Sequence, residues 1–199
     1  DHFPVCSPAL LENGPMLRTP SDLRHHTLLY SPARIPNWRD WLEAAGIGDL
    51  EISDSSSTVV IAEIGLNHGG NLDTAKAMVD SAARAGARVI KHQTHIPSEE
   101  MSAHARSTIP GNSAQSIFDI ISDCSLSLDD ETLLKQYVEQ LGITYLSTPF
   151  SRAAADFLFS LDVPAFKIGS GECNNLPLIR HIARFGKPVI LSTGRNDID

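Results

Sequence analysis

The stretch Val163-Pro-Ala-Phe-Lys-Ile-Gly-Ser-Gly-Glu-Cys-Asn-Asn175 decides the fold of this chain, because it contains a complete junction between a strand and a helix. Its apolar start is typical of a buried strand, and a helical pattern begins at Asn175. Lys167, Ser170 and Glu172 fall between them. A cation, a hydroxyl and a carboxylate at the carboxyl end of a parallel strand can hold an anionic substrate. A glycine-rich turn with incidental polar residues is the alternative.

The same junction recurs along residues 58–199, where strand and helix patterns alternate five times. The predicted strands are residues 58–64, 88–93, 143–146, 165–168 and 188–192, and the predicted main helices are 71–85, 129–141, 153–161 and 175–185. This alternation predicts βαβ units around a parallel sheet, either doubly wound or a (β/α)8 barrel. Five units over this length extrapolate to the ~250 residues of a full barrel. We therefore predict a partial TIM barrel of about five βα units.

Composition excludes several classes of protein. The net charge is −8 with no basic block, so the sequence favours neither nucleic acid nor an anionic membrane as a partner. No apolar run approaches the ~20 residues of a membrane span. The 3 cysteines are odd in number and scattered, which suggests a reducing compartment, and we expect a cytoplasmic protein.

The first quarter of the chain differs from the rest, since residues 1–50 hold 6 of the 12 prolines and predict a small irregular and helical segment. Pro4-Val-Cys-Ser-Pro-Ala-Leu-Leu11 and Trp38-Arg-Asp-Trp-Leu-Glu-Ala-Ala-Gly46 resemble part of the effector-binding domain of LysR-type transcription regulators. The resemblance carries no DNA-binding segment with it. Residues 51–57 have the composition of a linker. Residue 1 is Asp rather than Met, so we expect a processed chain or a piece of a longer one.

Polar residues end every predicted strand, and in a parallel α/β fold these ends converge on the face where ligands bind. They are Glu63, Lys91 with Gln93, Thr148, Lys167 with Ser170 and Glu172, and Ser192. A lysine at the end of a buried strand is costly unless it is paired or binds an anion. The pattern predicts a phosphate or carboxylate pocket, with Lys–Glu pairing inside the barrel as the alternative. Strand alternation places His92 on the face opposite Lys91, under a helix, which argues against a metal site of His68, His92 and His95.

Six motifs together resemble the bacterial sialic acid (N-acetylneuraminate) synthases over residues 58–199. They are Ala62-Glu-Ile-Gly-Leu-Asn-His68, Val89-Ile-Lys-His-Gln-Thr-His95, Ile109-Pro-Gly-Asn112, Leu146-Ser-Thr-Pro-Phe-Ser-Arg-Ala-Ala-Ala155, Phe166-Lys-Ile-Gly-Ser-Gly-Glu-Cys-Asn-Asn175 and Phe185-Gly-Lys-Pro-Val-Ile-Leu-Ser-Thr-Gly194. One departure is Arg195, where the family usually has Met after Ser-Thr-Gly.

The resemblance implies a (β/α)8 barrel that condenses phosphoenolpyruvate with N-acetylmannosamine, or a related 2-acetamido sugar, and releases phosphate with Mn2+ or Mg2+. It further implies residue roles. The expected phosphoenolpyruvate-binding residues are Lys91, Thr148, Lys167, Ser170 and Ser192. The expected sugar contacts are Glu63, Gln93 and Asn112, and the expected catalytic carboxylates are Glu63 and Glu172. The family's metal ligands fall beyond residue 199, and its full-length members are homodimers.

These implications predict that the chain by itself is inactive, since the metal half of the site is missing from it. Release of phosphate from phosphoenolpyruvate, measured with N-acetylmannosamine and Mn2+, should stay at background. Turnover would contradict this expectation. Two other hypotheses remain, a small-molecule effector module of the LysR type and a chimeric fragment without activity. Phosphoenolpyruvate binding by a shortened chain that starts at Thr58 would favour the synthase over the effector module.

Overall fold

A computed structural model describes residues 58–194 and two short strands, β1 (Gly46–Ile47) and β2 (Leu50–Glu51), which pair antiparallel. The chain divides into two compact units, Asp1–Thr58 and Val59–Asp199. The predicted LysR-like segment and the linker at 51–57 lie almost wholly outside the described residues, so both stay predictions.

The second unit alternates strands and helices. Its strands are β3 (Ile61–Gly65), β4 (Val89–Thr94), β5 (Thr144–Pro149), β6 (Phe166–Ile168) and β7 (Val189–Leu191). Its helices are α1 (Leu72–Arg84), α2 (Pro97–Glu100), α3 (Ile117–Cys124), α4 (Leu128–Gln140), α5 (Arg152–Ser160) and α6 (Leu176–Ala183), with a 3-10 helix at Ala103–Arg106.

The five strands β3 to β7 form one parallel sheet in sequential order. A doubly wound sheet reverses its strand order at a switch point, and this order does not reverse. Right-handed crossovers between successive strands place every helix on the same side of such a sheet. The sheet is therefore part of a (β/α) barrel, as the sequence predicts.

The core lies between that side of the sheet and the helices. Val79 of α1 and Leu134 and Val138 of α4 are fully buried against the sheet residues Ile90 and Phe166. Apolar residues at i and i+4, such as Leu134 and Val138, form the stripe expected of a helix that covers a sheet. Because successive strand residues point to opposite faces, the other face of the sheet is left for polar side chains.

Side-chain caps fix where the helices begin, which in turn fixes the length of the loops that connect the strands to the helices. In each case the side-chain oxygen accepts a backbone N–H from the first turn, which satisfies one of the otherwise unpaired donors there. The capping residues are Asn71, Ser116, Ser127, Ser151 and Asn175.

Three predictions about local structure need correction. Strand β5 runs to Pro149 rather than ending at Leu146, because its pairing with β4 continues through Thr94 and Pro149. The apolar spacing of residues 129–141 predicts Leu133 on the buried face of α4 together with Leu134 and Val138, but Leu133 is 47% exposed, since the other two occupy that face. For the polar stretch 94–129 the sequence predicts one short helical pattern, at residues 117–121, and the structure adds α2 and the 3-10 helix to it.

None of the helices in the described part of the chain is both long and apolar enough to cross a membrane.

Gly70 is the tightest position in the loop that follows β3. Its φ is +73°, and a Cβ there would lie 2.4 Å from the backbone oxygen of Asp123. Its neighbour Gly69 has a φ of +58° with open space around a Cβ. Gly69→Ala should cost about 1 kcal/mol through backbone strain. Gly70→Ala should cost about 2 kcal/mol more through the added overlap. Urea unfolding followed by circular dichroism measures both, and equal costs would contradict the crowding at Gly70.

Candidate functional site

The charged and polar residues that the sequence predicts as site residues lie mainly on the face of the sheet opposite the core. We call it the inner face, defined by Glu63, Lys91, Gln93, Thr148 and Lys167. Register brings them side by side, because Glu63 pairs with Lys91 across β3 and β4, and Gln93 pairs with Thr148 across β4 and β5. Directly paired residues point to the same face of a sheet, so these side chains gather by strand geometry alone.

Lys91 is the centre of the inner face. Its ammonium forms an ion pair with the Glu63 carboxylate and lies 3.4 Å from Thr148 Oγ1. The Lys91 side chain is only 13% exposed, whereas that of Glu63 is 44% exposed. The Lys–Glu pairing that the sequence left open as an alternative is therefore present at Lys91, and the carboxylate is the more solvent-exposed partner.

Lys167 lies on β6, on the same face of the sheet as Lys91 of β4. Its ammonium donates to Ile168 O at 2.6 Å and to Ser192 Oγ at 2.7 Å, just after the end of β7. Burial lowers the pKa of Lys167, the nearby Lys91 charge lowers it further, and Glu63 partly opposes both effects. Burial and the Lys91 charge both disfavour the protonated form of Lys167, so binding of an anion near both lysines would stabilise their positive charges.

Gln93 and Glu63 meet beside Gly65, at the end of β3. A Cβ on Gly65 would lie 3.2 Å from Glu63 Oε1, so a larger residue would crowd that carboxylate, and it would lie 3.5 Å from Gln93 Nε2, which is an ordinary contact distance. Gln93 Oε1 also lies 3.3 Å from His95 Nε2. His95 is held in turn by Glu100, whose Oε1 is 2.6 Å from His95 Nδ1. The loop after β4 thus fixes the Gln93 side chain.

The remaining predicted site residues lie on turns. Ser170 and Glu172 are half-buried in the turn after β6, and Glu172 accepts a 2.7 Å hydrogen bond from Asn175 Nδ2. Asn112 lies on an exposed turn before α3, and within residues 58–194 no hydrogen bond or ion pair joins it to the other predicted site residues. Lys91 and Lys167 lie within their strands, as the predicted strand bounds place them. Thr148 was predicted to follow its strand, but it lies within β5 because that strand is longer than predicted.

A buried polar cluster lies directly behind the inner face, under α4. Glu131 of α4 accepts hydrogen bonds at Oε1 from the Thr94 hydroxyl and, at 2.8 Å, from the Tyr145 hydroxyl. The Thr94 hydroxyl lies 2.7 Å from Ser147 Oγ, and His92 Nδ1 lies 3.4 Å from Glu131 Oε1. All five residues are at most 2% exposed. Burial, together with the Glu131 charge, raises the pKa of Tyr145, which therefore stays a donor.

His68 extends this cluster to the loop after β3. The Gly70 N–H donates to His68 Nδ1 at 3.2 Å, so the ring proton of the neutral imidazole lies on Nε2. That proton faces His92 Nε2 at 3.0 Å, which leaves His92 with its own proton on Nδ1, toward Glu131 and Tyr145. Burial, and then the neighbouring His92, lower the pKa of His68 to about 4, so His68 is neutral at pH 7.

Within residues 58–194, no three His, Cys, Asp or Glu side chains come together in a way that could hold a metal ion. The divalent metal that the resemblance implies therefore finds no ligand set among them.

The geometry agrees with sequence comparison. A model of the NeuB family matches residues 78–199, which include β4 to β7 and both inner-face lysines. The chain belongs to the NeuB family. It is 36% identical over 150 residues to the N,N'-diacetyllegionaminic acid synthase of Legionella pneumophila, covering 72% of this chain and 42% of that protein. It is 34% identical over 150 residues to human N-acetylneuraminate-9-phosphate synthase, covering 70% of this chain and 40% of the relative.

A solved structure shares the fold of this chain. An N-acetylneuraminic acid synthetase from Leptospira borgpetersenii, determined in complex with citrate, matches with a TM-score of 0.64 and 29% identity, covering 76% of this chain and 50% of that one. The chain spans less than half the length of the two synthases above. The predicted membership of the sialic acid synthase family is confirmed.

The buried cluster was the main feature that sequence reasoning missed. His92 was expected under a helix, and it lies there, but its partners were not foreseen. One signal was available, since Glu131 falls on the apolar stripe of α4 with Leu134 and Val138, at spacings of three and four. A carboxylate on a buried stripe requires hydrogen-bond donors facing it.

Glu131→Gln should destabilise the protein by about 2 kcal/mol, because the amide keeps one oxygen but loses the carboxylate charge to which buried donors bond, and it places an NH2 donor where the second oxygen lay. Glu139→Gln, on the same helix, is the matched control. Glu139 pairs with Lys135 at 2.6 Å, but its side chain is 49% exposed, so the loss should stay below about 0.5 kcal/mol. Urea unfolding of both variants measures the difference. Similar small costs for the two would show that Glu131 does not hold the cluster together.

Proposed function

We propose that this chain supplies the phosphoenolpyruvate-binding wall of a nonulosonate synthase. The reaction condenses phosphoenolpyruvate with N-acetylmannosamine, or a related 2-acetamido sugar, and releases phosphate. Membership of the NeuB family supports this class of reaction. The two relatives are named for different products, so the identity of the acceptor sugar is the finer part of the proposal.

The observation that carries the proposal is the pair of lysines on the inner face. Lys91 pairs with the Glu63 carboxylate, and burial together with the nearby Lys91 charge lowers the pKa of Lys167. An ammonium has three N–H groups, and two of those on Lys167 are directed to Ile168 O and Ser192 Oγ. The third can donate to a ligand oxygen. Phosphoenolpyruvate, with a phosphate and a carboxylate, would neutralise both lysines.

Hydroxyls complete the proposed wall. Thr148 lies beside Lys91 and Ser192 beside Lys167, so each cation has a hydroxyl next to it that can donate to the same anionic group. Ser170, in the turn after β6, is proposed as a third. The lysine charges attract the anionic groups of the substrate, and the hydroxyls donate directional hydrogen bonds to them. Together these contacts orient the enol carbon of the substrate.

The reaction forms a carbon–carbon bond and a carbon–oxygen bond from water, and it breaks the carbon–oxygen bond to phosphate. The methylene carbon of phosphoenolpyruvate attacks the sugar aldehyde, and the aldehyde oxygen gains a proton. Water adds to the former enol carbon and loses a proton, and phosphate leaves from that carbon. We assign sugar contacts to Glu63, Gln93 and Asn112, and proton transfer to Glu63 and Glu172. The hydrogen bond from Asn175 holds the Glu172 carboxylate for that role.

Isothermal titration of phosphoenolpyruvate into the chain tests the proposed wall. Lys167→Met should weaken binding at least about tenfold, because it removes a charge-assisted donor from a partly buried site. Lys187→Met is the matched control, since Lys187 pairs with Asp162 near the amino ends of β6 and β7. It should leave the affinity unchanged. Equal affinities of the wild type and the Lys167→Met variant would contradict the proposal, as would equal losses in both variants.

A further inference from the structure

One carboxylate serves two lysines on the inner face. Glu63 forms the ion pair with Lys91, and its charge also acts favourably on Lys167. Within residues 58–194, Lys167 has no carboxylate at ion-pair distance, and its hydrogen bonds go to neutral oxygens. Because Lys91 is already paired with Glu63, an incoming anion would have to replace the Glu63 carboxylate in order to pair with Lys91.

The two partners of this ion pair differ in how easily they can move. Lys91 is 13% exposed and has Thr148 as a second neighbour, so its ammonium is held in the face. Glu63 is 44% exposed, so its carboxylate can return to water at little cost. Exposed ion pairs contribute little net free energy, and a ligand with more than one negative charge competes well against a single carboxylate.

We infer that Glu63 is an internal anion that occupies Lys91 until an anionic ligand displaces it. This rests on the proposed function and adds a regulated step to the same site. The displaced carboxylate remains beside Gly65 and Gln93, on the side proposed for the sugar. Arrival of the phosphate-bearing substrate thus turns Glu63 from a lysine partner into a free acceptor for sugar hydroxyls.

Titration calorimetry with inorganic phosphate and with phosphoenolpyruvate tests the displacement. Glu63→Gln removes the competing charge and keeps the side-chain size, so it should bind both anions about two- to fivefold more tightly than the wild type. Glu172→Gln is the matched control. It removes one negative charge from the turn after β6, but Glu172 is hydrogen-bonded to Asn175 and not to a lysine, so its gain should be clearly smaller. Circular dichroism confirms that each variant is folded.

A mutant cycle separates displacement from a general change in electrostatic potential. In a Lys91→Met background, the further change Glu63→Gln should give almost no gain, because no ion pair remains to be broken. An unchanged gain in that background would overturn the inference, as would equal gains from Glu63→Gln and Glu172→Gln. If the wild type binds phosphoenolpyruvate and Glu63→Gln binds it equally well, the proposed function stands and the displacement is wrong. If neither binds it, both are wrong.

Discussion

Repulsion between two lysines on one face of a parallel sheet is the constraint on which the site depends. Lys91 and Lys167 come together because strand alternation gives the opposite face to the helices and the apolar core. Burial and mutual repulsion lower the pKa of Lys167, and a single carboxylate, Glu63, offsets part of that cost. A bound anion would stabilise the positive charges of the two lysines, so the same charges affect both the stability of the fold and the binding of ligand.

The two faces of the sheet are coupled through chain neighbours. His92 lies between Lys91 and Gln93, and Ser147 precedes Thr148, so the buried cluster around Glu131 fixes the backbone from which the inner-face side chains project. Groups in a buried hydrogen-bonded cluster resist movement, because each would lose a partner on moving. This arrangement places the buried cluster behind the inner face, where the Glu63 side chain is 44% exposed.

The order of strands and helices can be predicted from sequence, whereas contacts between strands cannot. Apolar strands separated by amphipathic helices predicted the parallel sheet, which the structure confirms. The anion-binding face that the lysines predicted stays a prediction. The length of β5 was underestimated, because Ser147 and Thr148 look like loop residues until their pairing with β4 is known. The contacts of Glu131 and the Lys91–Glu63 pair depend on the register between strands, which no single segment encodes.

A crystal structure of the chain with phosphoenolpyruvate tests the central claim most directly. The account predicts phosphate or carboxylate oxygens about 3 Å from the ammonium groups of both Lys91 and Lys167, with the Glu63 carboxylate turned away from Lys91. Phosphoenolpyruvate bound elsewhere, with the Lys91–Glu63 pair intact, would contradict it.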